Sequence, residues 1–331
     1  MNMSEQQLQR SELLNTAGMV YLQGGTFLMG SDAHYPEEAP VHRVHVSPFW
    51  IDETLVTNRQ FDRFVQQTGY VTVAELTPNP SDYPGAPLHM LQPGSLLFSA
   101  PTQPVDLNDW SQWWRFEFGT TWRHPQGPDS SIEGLEDHPV VHIAYADAQA
   151  YATWSGKSLA TEAEWEFAAW GMREGCEFAW GDVFIPDGIY MANTWQGEFP
   201  HQNTQQDGYL RTSPVKAFPA NDYALYDMIG NVWEWTADFW ASAHQPDATK
   251  SCCIPHNPRG GLEHQSYDPT MPNIHIPRRV LKGGSHLCAP NYCRRYRPAA
   301  RHAETIDTSA SHIGFRCVIR SDHLSANKIT A

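Results

Sequence analysis

The chain has 331 residues, enough for one large domain or two ordinary ones, and its net charge of −15 argues against nucleic acid as the main partner, since phosphate binding relies on excess Lys and Arg. No apolar run approaches bilayer-spanning length and residues 1–18 lack the apolar stretch of a secretory signal. No membrane role is expected, and the default compartment is a cytosol in which thiols stay reduced.

With 23 Gly and 25 Pro interrupting periodic patterns, long helices should be few, and 13 Trp, 13 Tyr and 14 Phe should fill an irregular core. The polar residues 1–18 read as a flexible N-terminal segment. MVYLQGGTFLMGS (19–31) reads as two short strands joined as a hairpin through Gly24 and Gly25. A strand over 42–50 follows, then a helix capped by Thr57 and Gln60, with Phe61, Phe64 and Val65 on one face and Gly69 at its end. Residues 76–136 show no periodicity and read as a long functional loop. A strand over 138–145 leads into a helix capped near Asp147, and a second helix starts at the Thr161–Glu164 capping box. The apolar stretch 225–240 breaks at Gly230 and Asn231, 241–279 is a second long loop, and 312–320 is the last strand. No repeat or linker divides the chain, so one α+β domain is expected.

The chemistry concentrates in KGGSHLCAPNYCRRYRPAAR, from Lys282 to Arg301. Its Cys288 and Cys293 could hold a soft metal, form a disulfide or supply a nucleophile. A reducing cytosol weighs against a permanent disulfide. A zinc site needs a second ligand pair, for which the adjacent Cys252 and Cys253 are a poor match. Spacing alone does not separate copper from zinc. Arg294, Arg295, Arg297 and Arg301 could favour thiolates nearby, or form a solvated face. Ser285 reads as a turn residue after two glycines, and Trp233 as core.

In order along the chain, GGTFLMGS, FWIDETLVTNRQF, HPVVHIAYADAQAYATWSGK, TEAEWEFAA, NTWQGEFPHQNTQQDGY, GNVWEWT, the cysteine segment and SASHIGFRC resemble the formylglycine-generating enzyme (sulfatase-modifying factor) family. The resemblance runs from residue 19 to the last strand. It implies a single loop-rich domain over 19–321, related to the C-type lectin fold, with a tail over 322–331. It also implies a copper-dependent oxidase that uses O2 and a thiol reductant. Its partner would be an unfolded sulfatase polypeptide, in which the cysteine of a CxPxR-type motif becomes Cα-formylglycine. By match, Cys288 and Cys293 hold Cu(I), the substrate cysteine adds a third sulfur, Ser285 lies near metal and substrate, and Trp233 lines the pocket. The family also binds structural calcium, which would fall on Asn193, Thr194, Asp207 and Tyr209 in one loop and on Asp227, Gly230, Val232 and Glu234 in another.

Departures accompany the match. Ala152 and Pro298 stand where animal members carry cysteine, leaving Cys317 without that partner, which suits a cytoplasmic bacterial protein. His312 replaces an asparagine found in some members, and Cys176, Cys252 and Cys253 have no assigned task. Two rival readings are an iron-dependent oxidase of the sulfoxide-synthase type and a non-catalytic lectin-like binding module. The first usually needs an additional helical domain that residues before 19 could not provide. The second has no need of a thiol pair.

Overall fold

The computed structural model describes residues 16–244 and 254–320. Cys252, Cys253, most of the N-terminal segment and the tail over 322–331 lie outside the described residues. Within them, regular structure is short. Three α-helices, α1 (Asn58–Thr68), α2 (Tyr145–Trp154) and α3 (Glu162–Trp170), stand among small sheets and long irregular segments.

The capping residues work as the sequence predicts. Thr57 Oγ1 accepts from Gln60 N while Gln60 returns to Thr57 N, and Gly69 closes α1 in the left-handed conformation at φ 68°. Thr161 and Glu164 make the same reciprocal cap on α3. Asp147 caps α2 by accepting from Ala144 N at 2.9 Å.

Strands β1 (Met19–Leu22), β2 (Gly25–Met29), β3 (His42–Val46) and β4 (Phe49–Asp52) show that the expected hairpin does not form: β1 pairs with β4 and β2 with β3. The expected single strand over 42–50 is therefore two strands, which serve different sheets. Residues 76–136 are not a bare loop either. They contain the antiparallel ribbon of β5 (Gly94–Phe98) and β6 (Trp114–Phe118), whose strands are separated by too long a connection to read as a hairpin. No strand forms over 138–145, because His142 sits at φ 60°, outside extended geometry.

One four-stranded sheet has the order β1-β4-β12-β7, with β7 at Ser158–Leu159 and β12 at Cys317–Arg320. The other has the order β10-β9-β8-β11, with β8 at Trp233–Phe239, β9 at Arg278–Lys282, β10 at Arg301–Thr305 and β11 at Ile313–Gly314. The last predicted strand is thus split between the two sheets. Helix α3, buried along its whole length, packs against β2, β3, β8 and β9 and ties the layers together.

Its core is unusually ionic. Lys282 Nζ lies 2.8 Å from Glu166 and Arg301 makes a bidentate pair with Glu162 at 2.7 and 2.8 Å, all four side chains being buried. Burial alone would raise the Glu162 carboxyl, but Arg301 and Lys282 override it and hold it down to about 2.

Candidate active site

The segment after β9 folds into two tight turns. Gly283 and Gly284 take φ 93° and 71°, a conformation that side chains disfavour. A Cβ on Gly284 would stand 2.7 Å from the Arg295 carbonyl and 3.2 Å from the Cys288 sulfur. Cys288 N donates to Ser285 O at 2.9 Å and Cys293 N to Ala289 O at 2.9 Å. These turns bring Cys288 Sγ and Cys293 Sγ to 3.4 Å, unbonded. Cys288 is buried and Cys293 is partly open to solvent.

The two thiols titrate as a unit. The hydrogen bond from Cys288 stabilises a thiolate on Cys293, and Arg295 Nη1, 4.0 Å away, adds to it; together they pull Cys293 well below the usual thiol range. Burial keeps the Cys288 proton on.

Of the four arginines, only Arg295 reaches the thiols. It stacks at 3.9 Å over the Tyr35 ring and pairs with Glu37 at 2.7 Å. Arg294 pairs with Glu177, Arg297 with Glu38 and Arg301 with Glu162. Tyr35 and Glu37 are the residues that sequence reasoning missed. Their only signal is a short acidic stretch, YPEEAP, bounded by prolines.

Ser285 is fully buried against the pair: its N–H donates to Cys288 Sγ at 3.4 Å and its Oγ accepts from Leu287 N at 3.2 Å. Trp233 packs in the same core cluster as Cys288, with its ring 5.7 Å from that of His302. His312 lies beside it, accepting from Trp233 N through its carbonyl and resting its ring 4.7 Å from Trp114. Burial and the neighbouring histidines 286, 302 and 142 push the His312 imidazole well below its usual range.

An aromatic cluster adjoins the thiols. Tyr292 stacks at 4.6 Å on Phe199, which meets Trp113 and Trp195 edge-on. Cys317, 0% exposed, is a free thiol whose N–H donates to Asp52.

The two predicted calcium loops are neighbours. Asp207 accepts from Thr194 N at 3.3 Å and Tyr209 N at 3.1 Å, while Asn193 O accepts from Asn231 N at 2.9 Å. Gly230, at φ 77°, leaves no room for a Cβ against the Asn193 carbonyl. Asp227 and Glu234 share Arg316, which donates to Glu234 Oε2 at 2.8 Å and to the Asp227 carbonyl at 3.1 Å. Glu234 Oε1 and the Trp165 indole N–H are both buried without a well-formed hydrogen bond, although the indole lies close enough to ease the Glu234 carboxylate. Val232 is fully buried, packing with Leu55 and Val141.

The sulfatase-modifying factor enzyme 1-like domain model matches residues 4–321. A formylglycine-generating enzyme of Mycobacterium tuberculosis is 51% identical over 301 residues, covering 91% of this chain and 97% of that one. An inactive C-alpha-formylglycine-generating enzyme 2 of Bos taurus is 36% identical, over 91% of this chain and 88% of its own. Among solved structures, PvdO from Pseudomonas aeruginosa superposes with a TM-score of 0.61 over 91% of this chain and 94% of its own, at 23% identity, and so shares the fold. Extent of match, single domain and sparse helices agree: the chain belongs to the sulfatase-modifying factor enzyme 1-like family, the family of the formylglycine-generating enzymes.

Proposed function

We propose that this protein is an oxidase that converts the cysteine of a CxPxR-type segment in an unfolded sulfatase to Cα-formylglycine, using O2, a thiol reductant and Cu(I) held by Cys288 and Cys293. The observation that carries this reading is the thiol pair, two unbonded sulfurs 3.4 Å apart, of which Cys293 is partly exposed. Because the family has an inactive relative, membership alone would not suffice.

The donor set suits the metal. Two soft sulfurs favour Cu(I), and among the described residues no group of three or more His, Cys, Asp and Glu is placed to close a zinc site. When bound, copper would supply the redox chemistry that activates O2. The chain's own residues do the rest. Arg295 offsets the thiolate charge, Ser285 N–H fixes Cys288 Sγ, and the glycine turn lets the backbone approach the sulfur. The aromatic cluster of Trp113, Trp195, Phe199 and Tyr292 gives an apolar wall beside the site.

Structural calcium is part of the same proposal. Burial raises the carboxyls of Asp207, Asp227 and Glu234, Arg316 relieves the last two only in part, and Glu234 Oε1 has a free lone pair. A calcium ion shared with backbone carbonyls would offset that cost.

The test is direct. Copper-loaded protein is incubated aerobically with reductant and a CxPxR peptide, and an aldehyde-specific probe reads the product. Aldehyde is expected on the CxPxR peptide and not on its Ser-for-Cys analogue. Loaded protein that yields no aldehyde overturns the reading.

A further inference from the structure

Strand β3 has β2 along one side and residues 255–257 along the other. On the β2 side, His45 is in direct register with Thr26. On the other side it forms a parallel bridge with His256. His45 N–H donates to Pro255 O at 2.9 Å and Asn257 N–H donates to His45 O at 2.7 Å. Asn257 adds two side-chain bonds, accepting from Ser47 N at 2.8 Å and donating to Ser47 Oγ at 2.9 Å. Directly paired residues present their side chains on one sheet face, so Thr26, His45 and His256 form a row across three backbone segments.

The two imidazoles meet in that row. Their ring centroids are 4.1 Å apart and the ring planes are tilted by 33°. Thr26 Oγ1 lies 3.1 Å from His45 Nδ1 and holds that side of the ring, which leaves Nε2 uncommitted. Among the described residues no hydrogen bond engages the ring of His256, which is exposed. Arg43, two residues along the same face, is paired with Glu174 at 3.6 Å, so its charge is offset.

This is how a pair of metal ligands is built. Zn–N bonds are about 2.0–2.1 Å, so one ion spans two nitrogens up to about 4 Å apart, close to the separation of the two rings. Imidazole suits zinc, copper and nickel, and a ligating ring usually engages its second nitrogen in a hydrogen bond, as His45 does with Thr26. We propose that His45 and His256 form a bis-imidazole site for a divalent cation of the zinc class, which staples residues 255–257 to β3. Among the described residues no group of three ligating side chains forms there, so water completes the shell and the site stays open. It offers nitrogen where Cys288 and Cys293 offer sulfur and the proposed calcium loops offer oxygen, and it stands independently of the catalytic reading.

The test is calorimetric Zn2+ binding to the full-length protein with calcium present. Wild type is compared with His45→Ala, His256→Ala, the two combined, and Thr26→Val. A Cys288→Ser/Cys293→Ser protein serves as a reference without the thiol pair. Wild type and that reference should share one site, which each single histidine variant weakens at least roughly tenfold. The combined variant should lose less than the sum of the singles, because the rings bind as a unit. Thr26→Val, which frees the ring of His45, should weaken the site roughly tenfold. Zn2+ should raise the melting temperature of the reference, but not once both histidine changes are added to it. Without metal, the histidine variants should melt within about 2 °C of their parents. Affinity unchanged in either single variant, or losses that simply add, overturns the site. Binding that vanishes with the thiols and survives both histidine changes overturns it as well.

Discussion

Arg297 and Glu38 join the thiol segment to the turn at residues 36–38 that precedes β3. Their bidentate contacts are 2.6 and 2.8 Å, and the side chains are 2% and 0% exposed. Arg297 Nε also donates to Arg294 O, one residue past Cys293. Replacing the arginine by methionine keeps much of its volume but leaves a buried carboxylate alone. Breaking a buried pair from one side costs about 3–5 kcal/mol, whereas replacing both partners by apolar groups is often near neutral. Arg297→Met should therefore lose about 3–5 kcal/mol, and Arg297→Met with Glu38→Leu should recover most of it. Urea unfolding of both variants against wild type at neutral pH measures this. A single variant that loses less than about 1 kcal/mol, or a double variant no more stable than the single, would rule it out.

Gly284→Ala should cost about 2–5 kcal/mol, combining left-handed strain with overpacking against Arg295 O and Cys288 Sγ. It should also weaken Cu(I) binding; wild-type melting and affinity together would contradict this. Glu304 has a folded pKa near 7, above its reference of 4.5, so the stability linked to it is full at low pH and falls as pH rises between those values. Glu304→Gln should flatten the melting temperature across that window, and an unaltered slope would count against the assignment. Calcium chelation should lower the melting temperature of wild type without changing copper content. Glu234→Gln should lose that sensitivity, and a chelator-indifferent wild type would remove the calcium proposal.

The parts of the fold that were legible in the sequence are those decided within a few residues. Thr57 with Gln60, Thr161 with Glu164 and Gly69 are local caps, and each forms as expected. Pairing across distance was not legible. Gly24 and Gly25 look like a hairpin, but β1 finds β4 and β2 finds β3, because the strands are sorted by sheets assembled from both ends of the chain. β5 and β6 were hidden by the long Pro- and Trp-rich connection between them. At the site, the spacing of Cys288 and Cys293 and the two glycines showed that the sulfurs could meet. Which arginine would face them was not recoverable, since that depends on where Glu37, Glu38, Glu162 and Glu177 lie in space.

In the function proposed above, Cys288 and Cys293 together form the copper-holding, oxidising centre. Its most direct test is a parallel measurement of bound copper and aldehyde yield in wild type, Cys288→Ser and Cys293→Ser, all purified under reductant. One copper per wild-type chain with peptide conversion is expected, and loss of both in each variant while the fold persists. Full turnover by either serine variant, or conversion that does not track copper content, would contradict it.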